Sequence, residues 1–303
     1  MNTKLIAKLI FVASALLLVN SACDLVEQDG YKEQYIVEAY LIANRPMPDV
    51  YLTTDVKSTT HYAFEDVTVD GAEVNIHRLD ESGGIADSYA YQAKSSGIYE
   101  YAGPEKVDGG ATYRLEITIP HDQNHRIISE TTVPTHFEIQ EIQHDSTAYQ
   151  GGIQPSALIS PSSYKDRQAY YVLTIEALDP KVETFTPVYA DIWENQMDDA
   201  EFEDFVKVNS GIINEEGMER FVDGRVKIDM PWSAIVFYGY SEVVFSTVGD
   251  NYADFALTQD LQEMGGNVSP GEMYNLRYNI DGAVGVFGSF ASDTASVFVY
   301  PNE

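Results

Sequence analysis

Carboxylates crowd one stretch of this sequence: Asp191, Glu194, Asp198, Asp199, Glu201, Glu203 and Asp204. Calcium takes about six to eight oxygen ligands, and Asp198, Asp199, Glu201, Glu203 and Asp204 are dense enough to be calcium candidates. No D-x-D-x-D-G loop frames them. On a helix they would alternate with Phe202, Phe205 and Val206, which describes an ordinary amphipathic element with a solvated face. A second cluster is His121-Asp122-Gln123-Asn124-His125. Two histidines and an aspartate suit a transition metal if the loop folds back. Their spacing aligns ligands only on a helix, however, and Pro120 with Asn124 marks a turn, so the reading is a solvated hairpin tip. His61, His77, His136 and His144 are scattered, with nothing near them to complete a site.

Gly282, Gly285 and Gly288 recur in DGAVGVFGSF. A dinucleotide fingerprint needs G-x-G-x-x-G between a strand and a helix. This spacing differs and strand-formers follow it, so the glycines are expected to relieve a bend or admit another backbone. No G-x-S-x-G elbow, H-E-x-x-H pair or phosphate-cradling loop with lysine occurs. With so many acids a glycosidase pair is arithmetically available, but nothing singles one out. No catalytic residue and no cofactor is therefore assigned.

Cys23, the only cysteine, carries a different kind of chemistry. It follows Lys4 and Lys8, an apolar run from Leu9 to Val19, and Asn20-Ser21-Ala22, the layout of a secretory signal. The run is shorter than the roughly 20 residues that span a bilayer. Cys23 stands where a bacterial lipoprotein carries its lipidated cysteine, although Asn20 replaces the usual Leu three positions earlier. Acyl chains there would hold the protein on a membrane. Ordinary cleavage after Ala22, leaving a free thiol, and an uncleaved anchor are the competing outcomes. One cysteine makes no internal disulfide, so packing alone must stabilise the fold.

Tyrosine is the other enriched functional type. Tyr35, Tyr51, Tyr62, Tyr89, Tyr91, Tyr99 and Tyr101 gather in the first half. Interfaces and glycan platforms use Tyr because its ring contributes area at low entropy cost, but strands also simply favour it.

The elements that must position these groups are strands. Tyr35–Ile42, Val50–Thr54, Gly71–Leu79, Ser88–Ala93, Gly97–Ala102, Thr112–Ile119 and Arg126–Val133 are short β-rich runs with period two, separated by turns such as NRPMP and DESGG. Strands at this spacing predict an immunoglobulin-like β-sandwich over residues 34–135. Residues 136–303 predict a second β-rich domain. Its expected strands are Phe137–Gln143, Ala169–Ala177, Val226–Met230, Ile235–Tyr240 and Glu242–Thr247. Val284–Tyr300 reads as two strands broken by a turn at Ser292-Asp293. Short helices are expected over Asp198–Val208 and Asn251–Met264, and Gly151–Tyr164 reads as loop. Residues 1–22 form the signal and 23–33 a tether.

The formal charge of −30 disfavours nucleic acid and anionic headgroups, and its plainest role is solubility. Losing Lys4 and Lys8 with the signal would make the mature chain still more acidic.

The lipoprotein start, YIVEAYLIANRPMPDVYLTTD (35–55), VDGAEVNIHRLDESGG (69–84), GIYEYAG (97–103), GATYRLEITI (110–119) and YNIDGAVGVFGSFASD (278–293) follow one another along the chain. In this order and spacing the sequence resembles a family of Bacteroidota lipoproteins, domain of unknown function 4249. The resemblance implies a lipoprotein facing the cell surface or periplasm, often encoded beside TonB-dependent outer-membrane receptors. It implies no activity and no catalytic residues.

The expectation is thus a mainly β, non-enzymatic, outer-membrane protein, lipid-anchored through Cys23, acting as a binding or accessory module for a TonB-dependent transporter. A glycan-directed hydrolase using carboxylates of the second domain is one competing reading. A structural or adhesive surface protein is another.

Overall fold

The first strands form where the sequence alternates most cleanly. A computed structural model describes residues 32–57, 60–135, 137–160, 169–195, 201–264 and 276–302. Residues 1–22, Cys23, Asp198, Asp199 and His136 lie outside the described residues. The chain divides into two compact units, residues 1–33 with 56–61, and residues 34–55 with 62–303. All elements below belong to the second.

Its first half contains β1 (Tyr35–Ile42), β2 (Val50–Thr54), β3 (Glu73–Leu79), β4 (Ile85–Ala90), β5 (Gln92–Ser95), β6 (Ile98–Glu100), β7 (Thr112–Ile119) and β8 (His125–Thr132). They pair in the orders β1-β2-β6-β5 and β4-β3-β7-β8. Those are the two sheets of an immunoglobulin-like sandwich, with an extra strand on the second. Every other residue of β7, Tyr113, Leu115, Ile117 and Ile119, is buried, as its period-two pattern requires. Val37, Leu41 and Leu52 of one sheet share a buried cluster with Ile76, Leu115 and Ile127 of the other.

Further on come β9 (Ile139–Gln143), β10 (Ser146–Ala148), β11 (Ser156–Ile159), β12 (Tyr170–Ala177), β13 (Lys207–Asn209), β14 (Ile213–Asn214), β15 (Glu219–Arg220), β16 (Val226–Asp229), β17 (Gly239–Val248), β18 (Ile280–Asp281) and β19 (Val284–Tyr300). The helices are α1 (Pro187–Asn195), α2 (Glu203–Val206) and α3 (Asp250–Met264).

Strand β19 joins the halves. It runs parallel to β1, from Ile36 opposite Val284 to Ile42 opposite Phe290, and antiparallel to β17. The result is a ten-stranded sheet, with β13-β12-β17-β19 continuing into β1-β2-β6-β5. It takes strands from both sides of the expected boundary at residue 135. Strands β15-β16-β11-β9 form a separate small sheet, and β18 extends β8. Asn279 adds a polar bolt: its Nδ2 donates to Ser129 Oγ at 2.7 Å, and its Oδ1 accepts from the Phe287 N–H at 3.2 Å.

The mainly β class with few helices is as the sequence indicates, and α3 lies where expected. Several details differ, among them the expected strand Ile235–Tyr240, of which only Gly239 and Tyr240 join a strand, the start of β17. Val284–Tyr300 is one strand, because Ser292 shares a hydrogen bond with Ser246 at 2.8 Å and Asp293 accepts the Ile139 N–H at 2.8 Å. With both polar groups satisfied in the ladder, no turn is needed. Within Asp198–Val208, the described helix is only Glu203–Val206, because Lys207–Asn209 is drawn into pairing with β12. Ser156–Ile159, inside the expected loop, is a buried strand of the small sheet, and helix α1 has no counterpart among the expected elements.

Candidate functional site

At one open edge of the sandwich, the edge strand β4 carries a bulge, with Ala86 as the extra residue opposite Arg78-Leu79 of β3. Arg78 alternates in phase with the buried Val74 and Ile76, so it lies on the inner face of β3, where its guanidinium pairs with Asp87. The Nε–Oδ2 distance is 2.9 Å, and Nη2 bonds the same oxygen. Asp108 lies 3.7 Å from Nε. Bonding to Asp87 raises the Arg78 pKa further above its ordinary value. The β3–β4 turn is held by Asp80, whose Oδ1 accepts from the N–H of Ser82 at 2.8 Å and of Gly84 at 2.9 Å. The Ser82 hydroxyl and these backbone donors hold its carboxyl below the usual range.

Tyrosines fill the same opening. Tyr89 of β4 meets Tyr101, just past β6, edge-on at 5.4 Å, and Tyr91 lies 6.0 Å from Tyr101. The Tyr101 hydroxyl donates to Glu105 at 2.6 Å, and that bond raises its pKa. Tyr113 accepts the Asp108 N–H at 2.8 Å, and burial pushes its hydroxyl up to about 12. The Tyr91 hydroxyl is buried without a hydrogen-bond partner among the described residues, and burial raises its pKa. Together Arg78, Asp87, Ser88, Tyr89, Tyr101, Glu105, Lys106 and Asp108 line an open groove of about 420 Å³. That volume is in the range of small-ligand sites, of order 300–1,000 Å³.

The sequence-derived candidates distribute unevenly. Of the tyrosines, Tyr89 and Tyr101 line the groove, and Tyr91 packs beside Tyr101 with its hydroxyl buried. Tyr99 is buried, with its hydroxyl donating to the Val69 carbonyl at 2.8 Å, while Tyr51 and Tyr62 are exposed and Tyr35 sits at the β7–β8 tip. At that tip Asp122 accepts from the Tyr35 hydroxyl at 2.9 Å, and His125 Nε2 lies 2.7 Å from the Gly282 carbonyl. His121 is exposed. The loop is therefore tied to the fold, and its side chains do not converge. Glu201, Glu203 and Asp204 are exposed, and Asp204 accepts the Glu201 N–H at 3.0 Å. Among the described residues no three metal-ligating side chains come together. Asp198, Asp199 and the lipidation candidate Cys23 lie outside those residues. Gly282 and Gly285 admit other backbone: a Cβ on Gly285 would stand 2.1 Å from the Val37 carbonyl oxygen, and one on Gly282 2.2 Å from that of Arg126.

Sequence reasoning missed Arg78, Asp87, Glu105, Lys106 and Asp108. Their only signal was charge on either side of the DESGG and GPEK turns. A serine–histidine–acid set also occurs on the outer sheet face, with His77 Nδ1 2.9 Å from Ser88 Oγ. Its Nε2 is 3.9 Å from Glu116, beyond hydrogen-bond reach, and Arg126 lies 3.7 Å from the same carboxylate oxygen. The set reads as a cross-strand polar ladder.

Comparisons with known proteins follow from the whole chain. A family model described as Domain of unknown function (DUF4249) matches residues 23–296. No curated protein matches the sequence. Among solved structures, trypsin-activated alpha-2-macroglobulin from Escherichia coli aligns at 8% identity and TM-score 0.25, over 90% of this chain. The native E. coli form aligns at 9% and 0.26, also over 90%. The three N-terminal domains of the bacteriophage RB49 outer capsid protein Hoc align at 9% and 0.21, over 89% of this chain and 71% of theirs. The chain spans 16% and 14% of the two macroglobulin chains. Likenesses this weak carry no information about function.

Proposed function

The chain belongs to the DUF4249 family, and from that premise we propose that it is a non-enzymatic binding module of the outer envelope. In this reading lipid on Cys23 anchors it, a TonB-dependent transporter is its partner, and the groove at the open edge of the sandwich is its ligand contact. The observation that supports it most is the groove itself. Strands and a bulge, rather than loops alone, present a clamped guanidinium, two bonded carboxylates and tyrosine rings in one opening of about 420 Å³. Polar groups already held in place by one another need little ordering when a ligand arrives. The segment from Asp24 to Gln34 reaches at most roughly 40 Å when fully extended, so an anchored protein would work close to its membrane.

Detergent extraction of the native protein, with mass spectrometry of its N-terminus and of co-purifying proteins, tests the anchor and the partner. The expected result is diacyl or triacyl mass on Cys23 and stoichiometric recovery of a TonB-dependent barrel. An unmodified N-terminus removes the anchor. A lipidated protein recovered alone moves the assignment to adhesion. The groove is tested separately, by protein-observed NMR with chemically diverse small ligands. Shifts should concentrate on residues 78–108, and a ligand set that shifts only other regions ends the groove's claim.

A further inference from the structure

Resting on the reading of the groove as a ligand contact, we infer that its ligand class is the neutral saccharide. Charge excludes the anionic alternatives first. Asp87, Glu105 and Asp108 outnumber Arg78 and Lys106 at the groove, and Arg78 is already engaged by Asp87 and Asp108. The chain as a whole carries −30, so a uronate, sulfate or phosphate approaches against a repulsive field. The pairing pattern then points to hydroxyls. The Arg78–Asp87 and Tyr101–Glu105 pairs each set a donor beside an acceptor. A carboxylate engaged through one oxygen keeps further lone pairs, and a guanidinium has five N–H groups, so both retain capacity at the groove. A sugar hydroxyl donates and accepts at once, and a pair of neighbouring hydroxyls matches such a row. Aromatic surface completes the match. Tyr101 is half-buried and packs edge to face at 5.4 Å against the buried Tyr89, so the Tyr101 ring is the one presented at the groove. The C–H face of a pyranose packs on a ring face while its hydroxyls reach the flanking polar groups. A cationic peptide suits the net charge, but its ammonium or guanidinium groups only donate and would meet the Arg78 and Lys106 cations at the same opening.

Isothermal calorimetry on the full chain in detergent decides it. The probes are maltoheptaose, cellohexaose, mannohexaose and xylohexaose as neutral ligands, with oligogalacturonate and pentalysine as charged ones. At least one neutral probe should bind. Tyr101→Ala should weaken that binding about tenfold, corresponding to ~1.4 kcal/mol. Tyr101→Phe keeps the ring, loses the bond to Glu105, and should weaken it only about two- to threefold. Val222→Ala, fully exposed and outside the groove, should leave it unchanged. Silence from every neutral probe overturns the inference, as does neutral binding that Tyr101→Ala leaves intact. If pentalysine or oligogalacturonate binds instead and Tyr101→Ala abolishes it, the saccharide assignment is wrong while the groove stands as a binding site. If no probe of any class responds to Tyr101→Ala, both readings fail together.

Discussion

Single residues decide two things in this protein: which backbones touch and which side chains face the groove. Gly285, at φ 115°, lets β19 approach β1, since any Cβ would stand 2.1 Å from the Val37 carbonyl oxygen. Gly285→Ala should therefore destabilise the fold by about 3 kcal/mol or more, combining left-handed strain with overpacking. Gly217 is the control: its φ is ordinary, nothing lies within 4 Å of where a Cβ would stand, and Gly217→Ala should be near neutral. Urea midpoints compare the two, and equal midpoints would sink the argument. Three glycines in a strand-forming run leave a bend or a close approach as their uses, and the close approach is what Gly282 and Gly285 serve. The groove is legible only through its tyrosines. Arg78 falls on the inward phase of Val74 and Ile76, yet a lone inward arginine marks no site until Asp87 is set beside it, and the extra residue Ala86 of β4 leaves no mark on the hydrophobic pattern. Asp108 and Glu105 are ordinary turn residues until folding sets them beside Arg78 and Tyr101.

Elements are readable in proportion to how one-sided their surroundings are. β1, β3 and β7 have one wet face and one dry face, so their burial follows the residue pattern directly. β19 is different. Its central Ser292 and Asp293 look like a turn, yet neighbouring strands satisfy both, and no single-strand pattern reveals a partner far away in sequence. Helix α1 is short and carries no buried residue, and it is held by aromatic packing that only tertiary structure supplies. Phe185 stacks on Phe237 at 4.5 Å and meets Trp193 of α1 at 5.8 Å and Phe205 of α2 at 5.6 Å. This satellite cluster lies apart from the main core. Phe237→Ala should cost about 3–4 kcal/mol, within the usual range for a buried ring. The loss should be local first: red-shifted emission from Trp193 at urea concentrations where the far-UV signal of the sheet persists. To isolate that signal, the measurement is made in a Trp232→Phe background. Emission and far-UV signals that move together would show the cluster is part of the global unit.

At the scale of the whole molecule, acidity and buried phenols act on stability from the same side of neutrality. The −30 charge repels itself, so raising sodium chloride from low concentration to about 0.5 M, where the Debye length falls to roughly 4 Å, should raise the urea midpoint. Alkali should do the opposite, and more steeply. Burial raises the pKa of Tyr40 and Tyr91, and pushes Tyr113 up to about 12. In the unfolded chain these phenols return to about 10. Between those values the unfolded state binds fewer protons than the native state, so stability falls as pH rises. The contribution is complete below pH 10 and is lost progressively as pH climbs toward and through the native values. Loss of lysine charge near pH 10.4 adds to the self-repulsion over the same span. Phenolate absorbance at 295 nm, followed beside near-UV circular dichroism, should therefore show a last fraction of tyrosines ionising only as the dichroism collapses. Complete ionisation with the near-UV signal intact would mean that the buried tyrosines of the sandwich are open to solvent, and the packing at the groove's edge would have to be redrawn.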